Sequence, residues 1–480
     1  MKNYFFNNFV AIKYMELYID KDLEIFKKEK DNIDKEHKKA KLKYIEPTKD
    51  EKKKVTEIIY NYIKKNKRKI YGGIALNLLI KNKSKNDAFY KDDDYPDIEF
   101  YSPEPIVDAI NICNELYNNK IKRIRTIEAQ HAETYTISIN TEKNCDISYM
   151  FKQLYNILPT KSIDGFEIVH PHFLEIDYLR QMNDPLVSYF RLEKFFPRFF
   201  LLQQFYPLPH INKTLHELKI ENNDVMEDIR IWLDKKNTVI TVGQYAFNYF
   251  MMKSTIEKKE FKYTPVSIYE IISIDYKNDV VNLVKQLQKK YSNVTITEHY
   301  PFFQFLGYST YVFFGDKLIA KIYDKNNRCI PYIKIPLYKF NNESFEKEKG
   351  EIQIGTFSLV LMYALIQIIR SKLDKDKLIF DYYTIMASQL VEMRRYFLNK
   401  TKKTILDDTD FKDFQINCIG YELSPAIERA IKIEKRKAKG KQPLSYTYNP
   451  EDGLKEPVSD YKFANSSGNI IKDEKKLKIK

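Results

Sequence analysis

A glycine turn opening into an apolar helix occurs twice in the chain. Ile70-Tyr71-Gly72-Gly73-Ile74-Ala75-Leu76-Asn77-Leu78 is echoed by Val239-Ile240-Thr241-Val242-Gly243-Gln244-Tyr245-Ala246-Phe247-Asn248-Tyr249, with alanine and asparagine at matching places after the turn. The segments that follow keep the same order. Tyr95-Pro96-Asp97-Ile98-Glu99-Phe100 alternates polar and apolar residues as a half-buried strand does. Pro105 opens a helix through Leu116, and residues 133–140 and 144–150, joined by Thr141-Glu142-Lys143, read as a hairpin. In the second pass Tyr269 to Ile274 reads as a strand and Val280 to Tyr291 as a helix. Val294 to Ile296 is then a short strand, and Tyr308 to Phe314 with Lys317 to Tyr323 a hairpin around Gly315-Asp316. Such a repeated order marks a diverged internal duplication and restricts the chain to two α+β units in tandem.

The chain has 480 residues, 43% of them hydrophobic, and its 31 Phe and 37 Tyr exclude a solvated coil throughout. Twelve Gly and 18 Pro exclude a collagen-like or linker-like protein. Eighty Lys and Arg against 66 Asp and Glu leave a net charge of +14. That surplus favours a polyanionic partner, nucleic acid or anionic membrane, although a compositionally biased genome produces the same excess. Cys113, Cys145, Cys329 and Cys418 are far apart and form no CxxC pair. Buried thiols in a reducing compartment are expected, with neither a disulfide frame nor a zinc site. The aromatic start shows no secretory signal pattern. The most apolar stretch, Phe357 to Ile369, is shorter than the roughly 20 residues a bilayer demands. A soluble intracellular protein with no membrane partner is expected.

Four segments follow: residues 1–54, a charged helix or arm; 55–205, the first unit; 206–440, the second unit with a helical C-terminal part; and 441–480, a polar, loose tail. Asn183-Asp184-Pro185 supplies a cap and first-turn proline for a helix from Leu186 to Phe200. Arg191, Lys194 and Arg198 then share a helix face, as either a solvated basic stripe or a clamp on phosphate groups. Residues 354–400 read as helical, and a basic helix carries Arg429, Lys432, Lys435, Arg436 and Lys437.

Asp97 and Glu99, two apart on a strand, project from one face, and neighbouring carboxylates repel unless a cation sits between them. Asp146, flanked by apolar Cys145 and Ile147, joins them if its strand lies beside theirs. Three hard oxygen donors on rigid strands suit Mg²⁺ or Mn²⁺, and two such ions can drive displacement at a phosphate. Each acid alone would be an ordinary exposed strand residue, and Gly72-Gly73 alone an ordinary tight turn. A double glycine also lets backbone approach a phosphate while the helix behind it aims its amino end there. The conjunction of glycine turn, Asp-x-Glu strand and isolated strand Asp reads as a nucleotidyltransferase of the DNA-polymerase-β type.

On these residues the chain resembles the viral poly(A) polymerase catalytic subunits of poxviruses and, more closely, of mimivirus-like giant viruses. The matching stretches are Tyr71 to Asn77, Pro96 to Phe100, Cys145-Asp146-Ile147-Ser148 and Arg180 to Pro185, with Arg191-Leu192-Glu193-Lys194 and Arg198. The resemblance implies an α+β polymerase-β-like nucleotidyltransferase domain followed by a degenerate duplicate. It implies template-independent addition of AMP from ATP to RNA 3′ ends, with two Mg²⁺ or Mn²⁺ ions on Asp97, Glu99 and Asp146. Gly72, Gly73, Arg191, Lys194 and Arg198 are then the nucleotide-binding residues. Such enzymes usually carry Asp-x-Asp where this chain has Asp97-x-Glu99, so the glutamate oxygen is displaced by a methylene. The resemblance further implies a virus-encoded enzyme in the host cytoplasm and the virion, an RNA 3′ end as partner, and a homodimer. In the second unit, aligning the helices places Asp97 against Ile271 and Glu99 against Ser273, and aligning the hairpins places Asp146 against Lys321, a site stripped of its carboxylates. Addition of other nucleotides to RNA ends, or a non-catalytic RNA scaffold, are the alternative readings.

Overall fold

The computed structural model describes residues 17–91, 94–131, 133–211, 215, 224–255, 264–341, 344–438, 446–458 and 467–474. The aromatic first segment, 1–16, lies outside the described residues. The mixed-charge run that follows is helix α1 (Asp20–Tyr44), of which no residue is buried. A second helix, α2 (Lys49–Lys65), starts on a reciprocal capping arrangement of Thr48 and Glu51 and crosses residue 54. It buries Val55, Ile58, Ile59 and Tyr62 at the anticipated helical spacing.

The first lobe continues as β1 (Lys69–Ile70), α3 (Gly72–Lys83), β2 (Ile98–Ser102), α4 (Pro105–Asn118), β3 (Ile124–Glu128), β4 (Thr134–Ile139) and β5 (Glu142–Tyr149). Then come α5 (Lys152–Ile157), β6 (Thr160–Ile163), β7 (Phe166–Val169), α6 (Pro171–Met182) and α7 (Leu192–Phe205). Within the sheet the order is β3-β4-β5-β2-β1-β7-β6, with β5 parallel to β2 and β7 parallel to β1.

The second lobe runs α8 (Asp224–Asp234), β8 (Val239–Val242), α9 (Gly243–Ser254), β9 (Tyr269–Ser273), α10 (Tyr276–Lys290), β10 (Val294–His299), β11 (Ser309–Phe314) and β12 (Lys317–Asp324). A long hairpin, β13 (Ile330–Asn341) and β14 (Ser344–Gly355), precedes α11 (Phe357–Asp374), α12 (Lys377–Thr401), β15 (Cys418–Ile419) and α13 (Pro425–Ala438). Its sheet order, β13-β14-β8-β9-β12-β11-β10, repeats that of the first lobe strand for strand. Helix α6 after β7 and helix α11 after β14 are counterparts, and they pack on each other between the lobes. There the buried Asn183 side chain accepts from the hydroxyls of Thr356 and Ser358, 3.0 Å each.

The duplication therefore holds, and hydrogen bonds fix its register. Tyr71 donates to the Glu99 carbonyl across β1 and β2, and Val242 pairs with Glu270 across β8 and β9. Ser102 caps Glu104 as Ser273 caps Asp275, and the buried Asp108 and Asp279 follow at equal spacing. The counterpart of Glu99 is thus Glu270, not Ser273, and that of Asp97 is Ile268, not Ile271. Aligning on apolar helix periodicity slipped by three residues because a helix face nearly repeats at that interval. Lys321 does face Glu270 as Asp146 faces Glu99.

Other expectations change. Asp184 accepts from the Val187 amide and the Ser188 hydroxyl, closing a local turn. The anticipated helix therefore starts at Leu192, after a single 3₁₀ turn, and not at Leu186. Cys329 and Cys418 form a disulfide where β15 pairs with β13, a pairing hidden by 89 residues of separation. The tail is not simply loose: β16 (Thr447–Tyr448) adds to β3 and β17 (Ile470–Glu474) to β10, so it edges both sheets at equivalent strands. Its residues 439–445, 459–466 and 475–480 lie outside the described residues.

Candidate active site

Gly72 has φ +73, a conformation glycine adopts without steric penalty, and it turns the chain from β1 into α3. A side chain there would stand 1.8 Å from the Glu99 Oε2 atom. Glu99 thus lies beneath the turn, and its carboxylate accepts from the Gly73 amide at 3.1 Å. Burial pushes the Glu99 carboxyl up to about 7; the Gly73 amide opposes this, and the charge of Asp146 adds to it.

Glu99 and Asp146 are direct partners on the parallel strands β2 and β5 and share one face of the sheet. The Asp146 Oδ1 atom accepts from the Thr136 hydroxyl at 2.6 Å. Asp97 sits one residue before β2, more exposed than the other two. Between Asp97 and Asp146 stands the Lys143 ammonium, 3.4 Å from one and 2.5 Å from the other. Lys143 belongs to β5 and not to the hairpin turn, because Asn140 and Thr141, both at positive φ, close that turn in two residues.

Among the described residues, no three His, Cys, Asp or Glu side chains meet closely enough to hold an ion by themselves. The donor chemistry nevertheless suits a divalent ion. All three acids offer hard oxygen, and a cation, the lysine, already bridges two of them.

Of the three basic residues, Arg198 comes to the turn. Its guanidinium lies 4.1 Å over the Phe89 ring, donates to the Tyr90 hydroxyl at 3.3 Å, and stands 3.3 Å from where a Gly73 side chain would begin. Phe89 and Tyr90 are held by their amides on the Asn77 side chain, 2.9 Å each. Arg191 and Lys194 are exposed. The charge of Arg191 is felt at His131, whose imidazole is pulled below its usual range chiefly by burial, then by Arg180 and Arg191.

The sequence reading overlooked Lys143, Thr136, Phe89 and Tyr90. The spacing of Asn77 from the glycines was the available signal for the last two, since the same asparagine recurs at 248 and binds Thr264. In the second lobe the equivalent place is closed by hydrogen bonds. Glu270 accepts from Tyr323 and Tyr383, 2.9 and 2.8 Å, while Lys321 donates to Gln367 and Tyr383.

Two family models match the chain: the poly(A) polymerase catalytic subunit over residues 57–188, and the C-terminal part of the APMV poly(A) polymerase catalytic subunit over 201–480. A chain of Acanthamoeba polyphaga mimivirus, assigned as a poly(A) polymerase catalytic subunit, is 32% identical across 98% of this chain and 86% of its own length. A similarly assigned chain of African swine fever virus, strain Badajoz 1971 Vero-adapted, is 27% identical over 34% of this chain and 35% of its own. The crystal structure of the Megavirus polyadenylate synthase superposes with a TM-score of 0.85 at 32% identity, covering 96% of this chain and 94% of that one.

Proposed function

The chain belongs to the viral poly(A) polymerase catalytic subunits, which are nucleotidyltransferases, and from this premise we propose that it adds AMP from ATP to RNA 3′ ends without a template, at the site between α3, β2 and β5. The observation that carries this reading is the alignment of Glu99 with Asp146 directly beneath the Gly72-Gly73 turn.

The missing side chain at Gly73 lets Tyr90 and Arg198 close on the turn, and the amino end of α3 offers a positive dipole to a triphosphate. Arg198, stacked on Phe89 and fixed by Tyr90, holds its guanidinium at that turn to meet phosphate oxygens. Asp97, Glu99 and Asp146 would hold the two Mg²⁺ or Mn²⁺ ions, which lower the pKa of a bound hydroxyl and neutralise a leaving pyrophosphate. The RNA 3′-hydroxyl gives up its proton to solvent as its oxygen forms a bond to the α-phosphorus of ATP, the bond from that phosphorus to the oxygen bridging to the β-phosphate breaks, and pyrophosphate departs. Arg191 and Lys194, both exposed, track the RNA backbone.

The RNA is read as viral mRNA in the host cytoplasm, following the viral origin of the relatives. No described helix is long and apolar enough to cross a membrane. The homodimer belongs to the same reading: α1 exposes Leu23, Ile25 and Phe26, and sedimentation with and without α1 tests it.

Purified protein with ATP and Mg²⁺ should lengthen an oligo(A) primer on a gel. Asp97→Ala and Asp146→Ala should abolish this while retaining native circular dichroism and primer binding. Tailing that survives in Asp146→Ala protein overturns the assignment.

A further inference from the structure

We propose that Lys143 is the resident counter-ion of the carboxylate site, occupying it when no divalent ion is bound and competing with that ion for Asp97 and Asp146. This rests on the site reading above. The placement is built into the backbone. On a regular strand, residues 143 and 146 would face opposite sides. The β4–β5 ladder slips between Ile137 and Ser138, leaving Asn144 as an extra residue opposite a single gap. That bulge restores Lys143 to the face of Asp146, where its ammonium reaches both aspartates.

The second lobe supplies an internal comparison. Its β11–β12 ladder slips at the equivalent place, between Val312 and Phe313, so the bulge is retained. There Leu318 takes the position of Lys143, Ile268 that of Asp97 and Lys321 that of Asp146. Where the aspartates are gone, the bulge lysine is gone too, and a single buried cation serves Glu270 through Tyr383. In the first lobe the lysine is instead 42% exposed, free to swing into solvent when an ion displaces it. Without any cation, Asp97 and Asp146 would repel each other across the short gap that Lys143 now fills.

The test is Mn²⁺ titration of the full chain without nucleotide, read by electron paramagnetic resonance of free Mn²⁺ and by thermal melting. Lys143→Met should bind Mn²⁺ roughly two- to fivefold more tightly, the range of a half-exposed ion pair. It should melt below the parent protein without metal and gain more from added Mn²⁺. Lys143→Arg, which keeps the charge, should resemble the parent. Unchanged or weaker binding by Lys143→Met, while Asp146→Asn loses binding, overturns the competition alone. Equal binding by parent and Asp146→Asn overturns the carboxylate site itself and the proposal with it.

Discussion

Glu99 and Glu270 occupy the same register position in the two lobes, each with its carboxylate tucked beneath a positive-φ glycine, Gly72 in one and Gly243 in the other. One glutamate faces the open carboxylate site. Its twin is sealed among tyrosines. The same turn geometry thus fronts the proposed catalytic site in one copy and is closed by packing in the other.

Gly72→Ala tests the turn. The new methyl group would overlap the Glu99 carboxylate and force φ +73 on an alanine, a strain of about 1–3 kcal/mol. Primer extension per folded molecule should fall roughly a hundredfold, as misplacing a reacting group by an ångström does. Gly243→Ala, whose methyl would meet Glu270 at 2.2 Å, should lower the melting temperature while folded protein keeps its activity.

Glu270→Ala removes the acceptor shared by Tyr323 and Tyr383 and takes from the buried Lys321 the carboxylate that acts on it most strongly, leaving the weaker influence of Asp374 and Asp376. The expected loss is about 3 kcal/mol, typical of stranding a buried charge. Urea unfolding measures it. AMP incorporation by the folded fraction should stay near the parent level, whereas Glu99→Ala should reverse the pattern.

Arg198→Ala should raise the KM for ATP roughly tenfold, the loss of one charge-assisted contact to phosphate, with a smaller change in kcat. Arg198→Lys should recover only part of it. A lysine keeps the charge but cannot stack its planar head on Phe89 while donating to Tyr90. Steady-state kinetics against ATP at saturating primer separates the two effects.

Glu175, buried on α6, has its carboxyl pushed up to about 8 by burial alone. Below pH 4.5, where the unfolded chain also holds the proton, it imposes no penalty. As pH rises from there toward 8, only the unfolded chain releases its proton, so stability falls, and above 8 the penalty is constant. Glu175→Gln should therefore raise the melting temperature by a few degrees at pH 8.5 and by progressively less toward pH 5. An increment independent of pH would show that the carboxyl does not titrate in this way.

Much of the site was legible because it is local. A glycine turn, an alternating strand and an isolated strand Asp each declare themselves within a few residues, through backbone sterics and side-chain periodicity. That Asp146 joins Glu99 was legible only as a condition, that its strand lie beside theirs, and the parallel pairing of β2 with β5 meets it. The duplication was legible for the same reason, in the matched Asn77 and Asn248.

Tertiary contacts decided the rest. The Asn144 bulge, which delivers Lys143 to the aspartates, is a property of two strands in register and leaves no mark in either one. Cys329 finds Cys418, and the tail finds an edge strand in each lobe, only after long stretches of chain have folded between them. Local sterics and periodicity are written residue by residue, so the sequence determined the two units, their turns and their acids. Which acid meets which cation depends on sheet register and on burial, and those exist only once distant strands are side by side.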